Sequence, residues 1–349
     1  MSDLSERPVL VLGASGFVGS HTARLLVAKG RKIRVLYRRS SNQEALSGLP
    51  VERYLGDVHD PASLRAAMQG CSTIFHCVVD PRFWLTDTAP LFRNNVDGLR
   101  NSMDAALACG VDRFVFTSTM GTLGLNPDGP VTEDIEFNWM DRAPPYIRSR
   151  VEAERLFQLY CREKGLPGVA LCAANTYGPE DYQPTPQGKM IWDLACGTFP
   201  VMWEAGAPTV DIRDVAEAMI LAETRGCIGE RYILANEYVS NRDLCAIAAG
   251  QTGVKPPLII PRAVAHTMAW VGEQIFKLLR QKDYLVRSDA IFLSNVFREL
   301  DHSKASRELG WHPRPFSETV RDAVAWCSSY PGRHNWAKGV KPAVRPMRG

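Results

Sequence analysis

A chain of 349 residues, 45% of them apolar, has the material for one large domain or for a large domain with a smaller lobe. Its formal net charge of +3 is small and dispersed, which excludes nucleic acid as the main partner. Nine cysteines (71, 77, 109, 161, 172, 196, 227, 245, 327) form no C-x-x-C pair, and several lie inside apolar patterns, so they read as reduced core residues. The first strand follows a short polar lead with no room for a signal peptide, and no stretch nears the roughly 18 apolar residues of a membrane span. The expectation is a soluble, cytoplasmic protein without an integral membrane segment.

Val9-Leu10-Val11-Leu12 is an apolar strand that breaks into Gly13-Ala14-Ser15-Gly16-Phe17-Val18-Gly19, a G-x-x-G-x-x-G turn. The helical spacing of Ala23, Leu25, Leu26 and Val27 follows, closed by Gly30. A glycine-rich turn from strand to helix lets backbone N–H groups approach a pyrophosphate at the positive end of the helix dipole. The second strand, Ile33–Tyr37, completes half of a nucleotide-binding βαβ unit. It ends in Tyr37-Arg38-Arg39-Ser40-Ser41, with no acid to hold a ribose 2′-hydroxyl. Arg38 and Arg39 therefore predict a 2′-phosphate contact, so NADP(H) is the preferred cofactor, with NAD(H) as the alternative.

Val51–Leu55 is a third strand ending at Gly56-Asp57-Val58, and Asp60-Pro61 starts a helix that reaches Gly70. Thr73–Val79 reads as the fourth strand, residues 88–109 as a helix closed by Gly110, and Arg113–Thr119 as the fifth strand. Pro144-Pro145 then deliver the chain into a long helix, on which Tyr146 and Arg150 share a face. This alternation predicts an α/β fold: a doubly wound, Rossmann-like parallel sheet with ligands at the carboxyl ends of its strands. A smaller, mainly helical C-terminal substrate lobe is expected to follow. The predicted division is 1–180 and 207–235 for the dinucleotide-binding domain, 181–206 and 236–330 for the lobe, and 331–349 for a flexible basic tail.

The glycine turn with Asp57, Thr117-Ser118-Thr119, Tyr146 with a cation four residues on, Asn175-Thr176-Tyr177-Gly178-Pro179 and Leu309-Gly310-Trp311-His312-Pro313 stand in order along the chain. Together they resemble the extended short-chain dehydrogenases/reductases, the NAD-dependent epimerase/dehydratase family, to about residue 330. Phe83-Trp84, Asn94-Asn95-Val96-Asp97-Gly98 and Pro184–Gly188 are similar to the dihydroflavonol-reductase-like and hopanoid-associated epimerase-like bacterial branches. The resemblance implies Tyr146 as acid/base, Arg150 as ribose contact and phenolate stabiliser, and Thr119, or else Ser118, as the hydroxyl that holds the substrate oxygen. It also implies cofactor contacts from Gly13, Ser15, Gly16, Phe17, Val18, Gly19, Asp57, Val58, Cys77, Val78, Thr117, Asn175 and Thr176, and a homodimer through residues 88–109 and 146–163.

The family pattern is Tyr-x-x-x-Lys, and arginine stands here in the lysine's place. Arginine keeps the charge and can bond ribose hydroxyls, but it does not deprotonate, which rules out a proton relay through it. Ala173-Ala174 replaces an Arg-Pro pair common in related nucleotide-sugar enzymes, and apolar bulk (Phe83, Trp84, Met120, Trp192) is expected to line the substrate pocket. Ala263–Leu279 is apolar enough for a lobe helix or for peripheral contact with a membrane or lipid-like substrate. His76 reads as a packed, hydrogen-bonded residue, and no metal is expected. The leading expectation is an oxidoreductase acting on a ketone or secondary alcohol of a largely apolar small molecule. The competing readings are an epimerase or dehydratase using its cofactor transiently, and a dinucleotide-binding protein impaired in turnover.

Overall fold

Short apolar runs become buried parallel strands. In a computed structural model, whose described residues are 6–82, 85, 87–278 and 288–330, the chain starts with β1 (Val9–Leu12), α1 (Phe17–Ala28), β2 (Ile33–Tyr37), β3 (Glu52–Leu55), α2 (Pro61–Met68) and β4 (Thr73–His76). Next come α3 (Ala89–Phe92), α4 (Gly98–Cys109), β5 (Arg113–Thr119), α5 (Pro145–Lys164) and β6 (Gly168–Ala173). The chain continues through β7 (Asn175–Tyr177), α6 (Pro186–Cys196), β8 (Val201–Trp203), β9 (Gly206–Asp211), α7 (Ile212–Arg225) and β10 (Arg231–Leu234). It ends with β11 (Tyr238–Ser240), α8 (Asn241–Thr252), β12 (Leu258–Ile260), α9 (Arg262–Leu278), α10 (Ser288–Leu293) and α11 (Phe316–Ser329).

Seven parallel strands lie in the order β10-β6-β5-β4-β1-β2-β3. Val9 pairs with Ile33 on one side and with Thr73 on the other, so the winding reverses between β1 and β4. In such sheets the crevice for a ligand opens at this reversal, beyond the carboxyl ends of the strands. Every residue of β1, β4 and β6 is buried, as a sheet covered on both faces requires. Leu64 and Met68 of α2, Leu99 and Met103 of α4, and Leu156 and Phe157 of α5 join Leu10, Ile74, Phe114 and Phe116 in one apolar cluster. α1 packs against α7.

The chain forms two compact units. One holds residues up to Ala174, Ile212–Leu234 and Asp301–His312; the other holds Asn175–Asp211, Ala235–Leu300 and the chain from Pro313. This differs from the expected division. Residues 175–180 and 207–211 go to the second unit because β9 pairs with β7 and β11 and not with the large sheet. Asp301–His312 returns to the first unit, where Trp311 is fully buried and its indole N–H donates to the Asp214 carbonyl at 2.8 Å. The second unit carries a core of its own around Ile191, Leu194, Met202, Leu244, Phe316 and Val320. Its helix α9 buries Ala265 and Ala269 while Val264, Met268 and Val271, on a neighbouring face, are exposed.

The helix expected over 88–109 is interrupted. A π-helical turn at Arg93–Asp97 separates α3 from α4. The wider turn swings the Asn95 amide inward, where it bonds the backbone of Asp80 and the Ser149 hydroxyl at 3.0 Å.

Gly19 sits in the first turn of α1, where a Cβ would lie 2.3 Å from the Gly13 carbonyl oxygen. Helix propensity alone would make Gly19→Ala stabilising by about 1 kcal/mol. Overlap with backbone atoms costs more, about 1–3 kcal/mol. Gly19→Ala should therefore lower the unfolding free energy in denaturant titrations, and a gain would show that the turn relaxes freely.

Candidate active site

The β1–α1 turn lies at the sheet's reversal point, and its glycines are needed for contact. Gly13 has φ +75°, and a Cβ there would sit 2.7 Å from the Cys77 carbonyl oxygen at the end of β4. Gly16 is the N-cap of α1 with no side chain capping it, so the first helical N–H groups face the turn. This cradle of Gly13, Ser15, Gly16, Phe17, Val18 and Gly19 suits a pyrophosphate. Phe17 also meets His21 edge to face at 5.4 Å.

The other expected cofactor residues in the first unit follow the carboxyl ends of neighbouring strands, which the parallel register puts on one edge. Arg38 and Arg39 are exposed beyond β2, in a turn closed by the Arg38 carbonyl and the Ser41 N–H at 2.9 Å. Asp57, beyond β3, accepts from the His59 N–H at 2.9 Å, and Val58 packs beneath Gly98. Cys77 follows β4, with its thiol pushed up to about 12 by burial, and Val78 lies beside it, half-buried. Thr117 Oγ1 faces the sulfurs of Met219 (3.5 Å) and Cys77 (3.7 Å).

Tyr146, Arg150 and the β5 end come together because Gly121 lacks a side chain. A Cβ there would meet Ile147 Cδ1 at 2.6 Å, so the first turn of α5 packs directly on the turn after Thr119. Arg150 is 1% exposed; its Nη2 donates to the Thr117 carbonyl at 2.7 Å and its guanidinium lies 5.2 Å from the centre of the Phe116 ring. Its Nε and Nη1 are buried with no partner among the described residues. Unfilled donors aimed from a buried guanidinium are what a ribose contact requires. Together with the uncapped helix and the exposed arginines, they fit a dinucleotide.

Burial raises the Tyr146 phenol above its ordinary value, and the nearby Asp80 adds to this, while Arg150 opposes it. The stabilisation of phenolate expected from Arg150 is present but does not prevail. The Thr119 hydroxyl, half-buried, accepts from the Gly121 N–H at 3.2 Å, beside the half-buried Met120. Ser118 points to the opposite face and donates to Glu154, so its hydroxyl is engaged in the interior.

Asn175 and Thr176 belong to the second unit, in β7. Trp192 also lies there, but as core: it is 2% exposed and packs with Cys196, Cys327 and Trp326, which corrects its assignment to a pocket wall. Phe83 and Trp84, and the tail from 331, lie outside the described residues. His76 differs from expectation too. It is fully buried beside Phe114 and Phe116, yet neither ring nitrogen has a hydrogen-bond partner, and burial with the Arg150 charge lowers its pKa to about 3.

Sequence reasoning passed over Asp80 and Glu154. Asp80 is clamped by Arg82 Nε at 2.7 Å and Asn94 Nδ2 at 2.8 Å; burial pushes its carboxyl up, but these partners outweigh it and hold the group below its ordinary value. Glu154 could have been found, since it continues the Tyr146, Arg150 spacing by one more turn.

The sheet, the glycine cradle and the Tyr146–Arg150 face define a Rossmann-type dinucleotide-binding enzyme. The sequence profile of the NAD dependent epimerase/dehydratase family matches residues 9–235, and the chain belongs to that family. It is an NAD(P)-dependent oxidoreductase acting on CH–OH groups. A putative dihydroflavonol 4-reductase of Synechocystis is 32% identical, covering 92% of this chain and 94% of that protein. Sterol demethylase protein B of Methylococcus capsulatus is also 32% identical, over 91% and 97%. The crystal structure of gox2253 superposes with a TM-score of 0.83 at 36% identity, covering 93% of this chain and 98% of that one. No helix among the described residues is long and apolar enough to cross a membrane.

His76 makes stability pH-dependent in a defined direction. Its folded pKa is depressed, so between about 6.5 and about 3 the unfolded chain takes a proton that the folded chain refuses, and stability falls as pH falls. The stability difference between the natural protein and His76→Phe should shift by about 2 kcal/mol in favour of phenylalanine from pH 7 to pH 5. Denaturation curves at the two pH values measure this; parallel losses would refute it.

Proposed function

We propose that this chain is an NADP(H)-preferring oxidoreductase that reduces a ketone, or oxidises a secondary alcohol, of a largely apolar small molecule. The observation that carries the reading is the buried face of α5, where Tyr146 stands one turn before a guanidinium with two unfilled donors. Bound in the cradle, a nicotinamide dinucleotide supplies the hydride chemistry. The chain's own part is proton transfer and positioning. The Tyr146 hydroxyl has no hydrogen-bond partner among the described residues and is open to a substrate oxygen, which Thr119 would hold. Arg150 would bond ribose hydroxyls through Nε and Nη1, and its charge favours the phenolate that remains after proton donation.

NADP(H) preference is supported by Arg38 and Arg39, exposed beyond β2 with no carboxylate next to them. An apolar substrate is supported by the relative named for sterol demethylation, and by Ala173-Ala174 where related nucleotide-sugar enzymes carry Arg-Pro.

Titration calorimetry with NADPH and NADH, before and after Arg38→Ala, tests the cofactor assignment. A charge-assisted bond to phosphate contributes about 1.5–3 kcal/mol, so NADPH affinity should fall about tenfold to a hundredfold while NADH affinity holds. Preference of the natural protein for NADH would overturn it. In a ketone screen, Tyr146→Phe should lose about 10²–10⁴ in kcat with NADPH binding retained. Full turnover by that variant would end the acid/base assignment.

We also propose a homodimer through α4 and α5, as the family resemblance implies; a groove of about 700 Å³, lined by Val151, Arg155 and Leu159 among others, runs along α5. Sedimentation analysis should give twice the chain mass, and Leu159→Glu should return the monomer.

A further inference from the structure

One buried charge on the reacting face of α5 has no part in the scheme above. Glu154, 4% exposed, follows Arg150 by one turn as Arg150 follows Tyr146. Both its oxygens are held by other elements. Oε1 accepts from Arg231 Nη1 of β10 at 2.9 Å, and Oε2 accepts from Ser118 Oγ of β5 and from Thr122 Oγ1 at 2.8 Å. Ser118 and Thr122 flank Thr119, so a single carboxylate grips the turn on either side of that hydroxyl.

The charges around it are unequal. Arg231 donates its remaining N–H groups to the carbonyls of Glu133 and Ile135. Arg150 forms no ion pair among the described residues, and the carboxylate acting on it is that of Glu154. A buried lysine at position 150 could shed its proton, whereas an arginine stays charged and needs a permanent countercharge.

We propose that Glu154 is a positioning residue of the site: its carboxylate is the fixed countercharge of Arg150, and its hold on Ser118 and Thr122 sets the turn that presents Thr119. The inference rests on Tyr146 and Arg150 being the reacting pair. Around Glu154 are Arg150 of α5, Arg231 of β10 and Cys172 of β6 at 3.7 Å; Glu133, whose carboxylate accepts from the Ile233 N–H, acts on Arg231 and Cys172. Facing Tyr146 are Arg150 and Asp80, and His76 feels the same guanidinium.

The countercharge also weakens the pull of Arg150 on the Tyr146 phenolate. Eight residues of helix separate Glu154 from Tyr146, a rise of about 12 Å. At an effective dielectric constant of about 20, one unpaired charge at that distance moves an ionisation by at most roughly one pH unit, and the ion pair with Arg231 reduces the effect to a fraction of that.

The test needs no substrate. Tyr146 ionisation is read as the difference in tyrosinate absorbance between each protein and its Tyr146→Phe counterpart during an alkaline titration. Glu154→Gln should lower the midpoint by a fraction of a pH unit, Glu154→Asp should leave it in place, and Arg231→Gln should raise it. A folded Glu154→Gln protein with an unmoved midpoint overturns the inference, because a merely structural role would cost stability without shifting Tyr146. If Glu154→Gln does not fold, Arg231→Gln decides, and a midpoint that fails to rise is the overturning result. The two readings fail separately. Ketone turnover by Tyr146→Phe removes the reacting pair itself, whereas an inactive Tyr146→Phe with an unmoved Glu154→Gln midpoint removes only the countercharge.

Discussion

A guanidinium that cannot be neutralised lies in the interior of this fold, and much of the surrounding structure is arranged to tolerate it. Taking a permanent charge out of water costs several kcal/mol unless other groups replace the lost hydration. Around Arg150 those groups come from two elements: the Thr117 carbonyl and the face of Phe116 on β5, and the Glu154 carboxylate one turn along α5 itself. Two of the Arg150 donors have no partner among the described residues, which is a reason for the site to favour a polar ligand. Such an arrangement is characteristic of places where structure serves chemistry at the expense of stability.

The geometry that brings this charge to the sheet edge depends on missing side chains. Gly13 lets β1 turn against the end of β4, Gly19 lets α1 begin at that turn, and Gly121 lets α5 press on the turn after Thr119. Each is a contact between backbone and neighbour that a methyl group would occupy. The G-x-x-G-x-x-G pattern is therefore as much a packing code for the strand reversal as a ligand signature.

These features explain which parts of the structure could be read from the amino acids. Strands β1, β2 and β5 were legible to the residue because a doubly covered parallel strand is a plain apolar run, and Tyr146 and Arg150 were legible because a helix repeats its face every fourth residue. What escaped depends on distant partners. No local pattern announces that β9 pairs with β7 and β11, or that Trp311 reaches back to Asp214 across the chain. Trp192 was misplaced because an apolar helical stripe looks the same whether it faces a pocket or, as here, Cys196 and Cys327. The π turn at Arg93–Asp97 was invisible because one residue of added width leaves the apolar spacing nearly unchanged.

The replacement of lysine by arginine also constrains how a proton can reach Tyr146. Arg150 carries a charge it does not exchange. His76, which feels that charge, is held neutral by burial, and its ring nitrogens have no partner among the described residues. Asp80 is kept ionised by Arg82 and Asn94, and it acts on the phenol only as a field. None of the titratable groups that act on Tyr146 can therefore hand it a proton. A tyrosine without such a donor depends on its own ionisation and not on a chain of intermediaries, which is why the balance of charge between Arg150 and Glu154 bears so directly on what it can do.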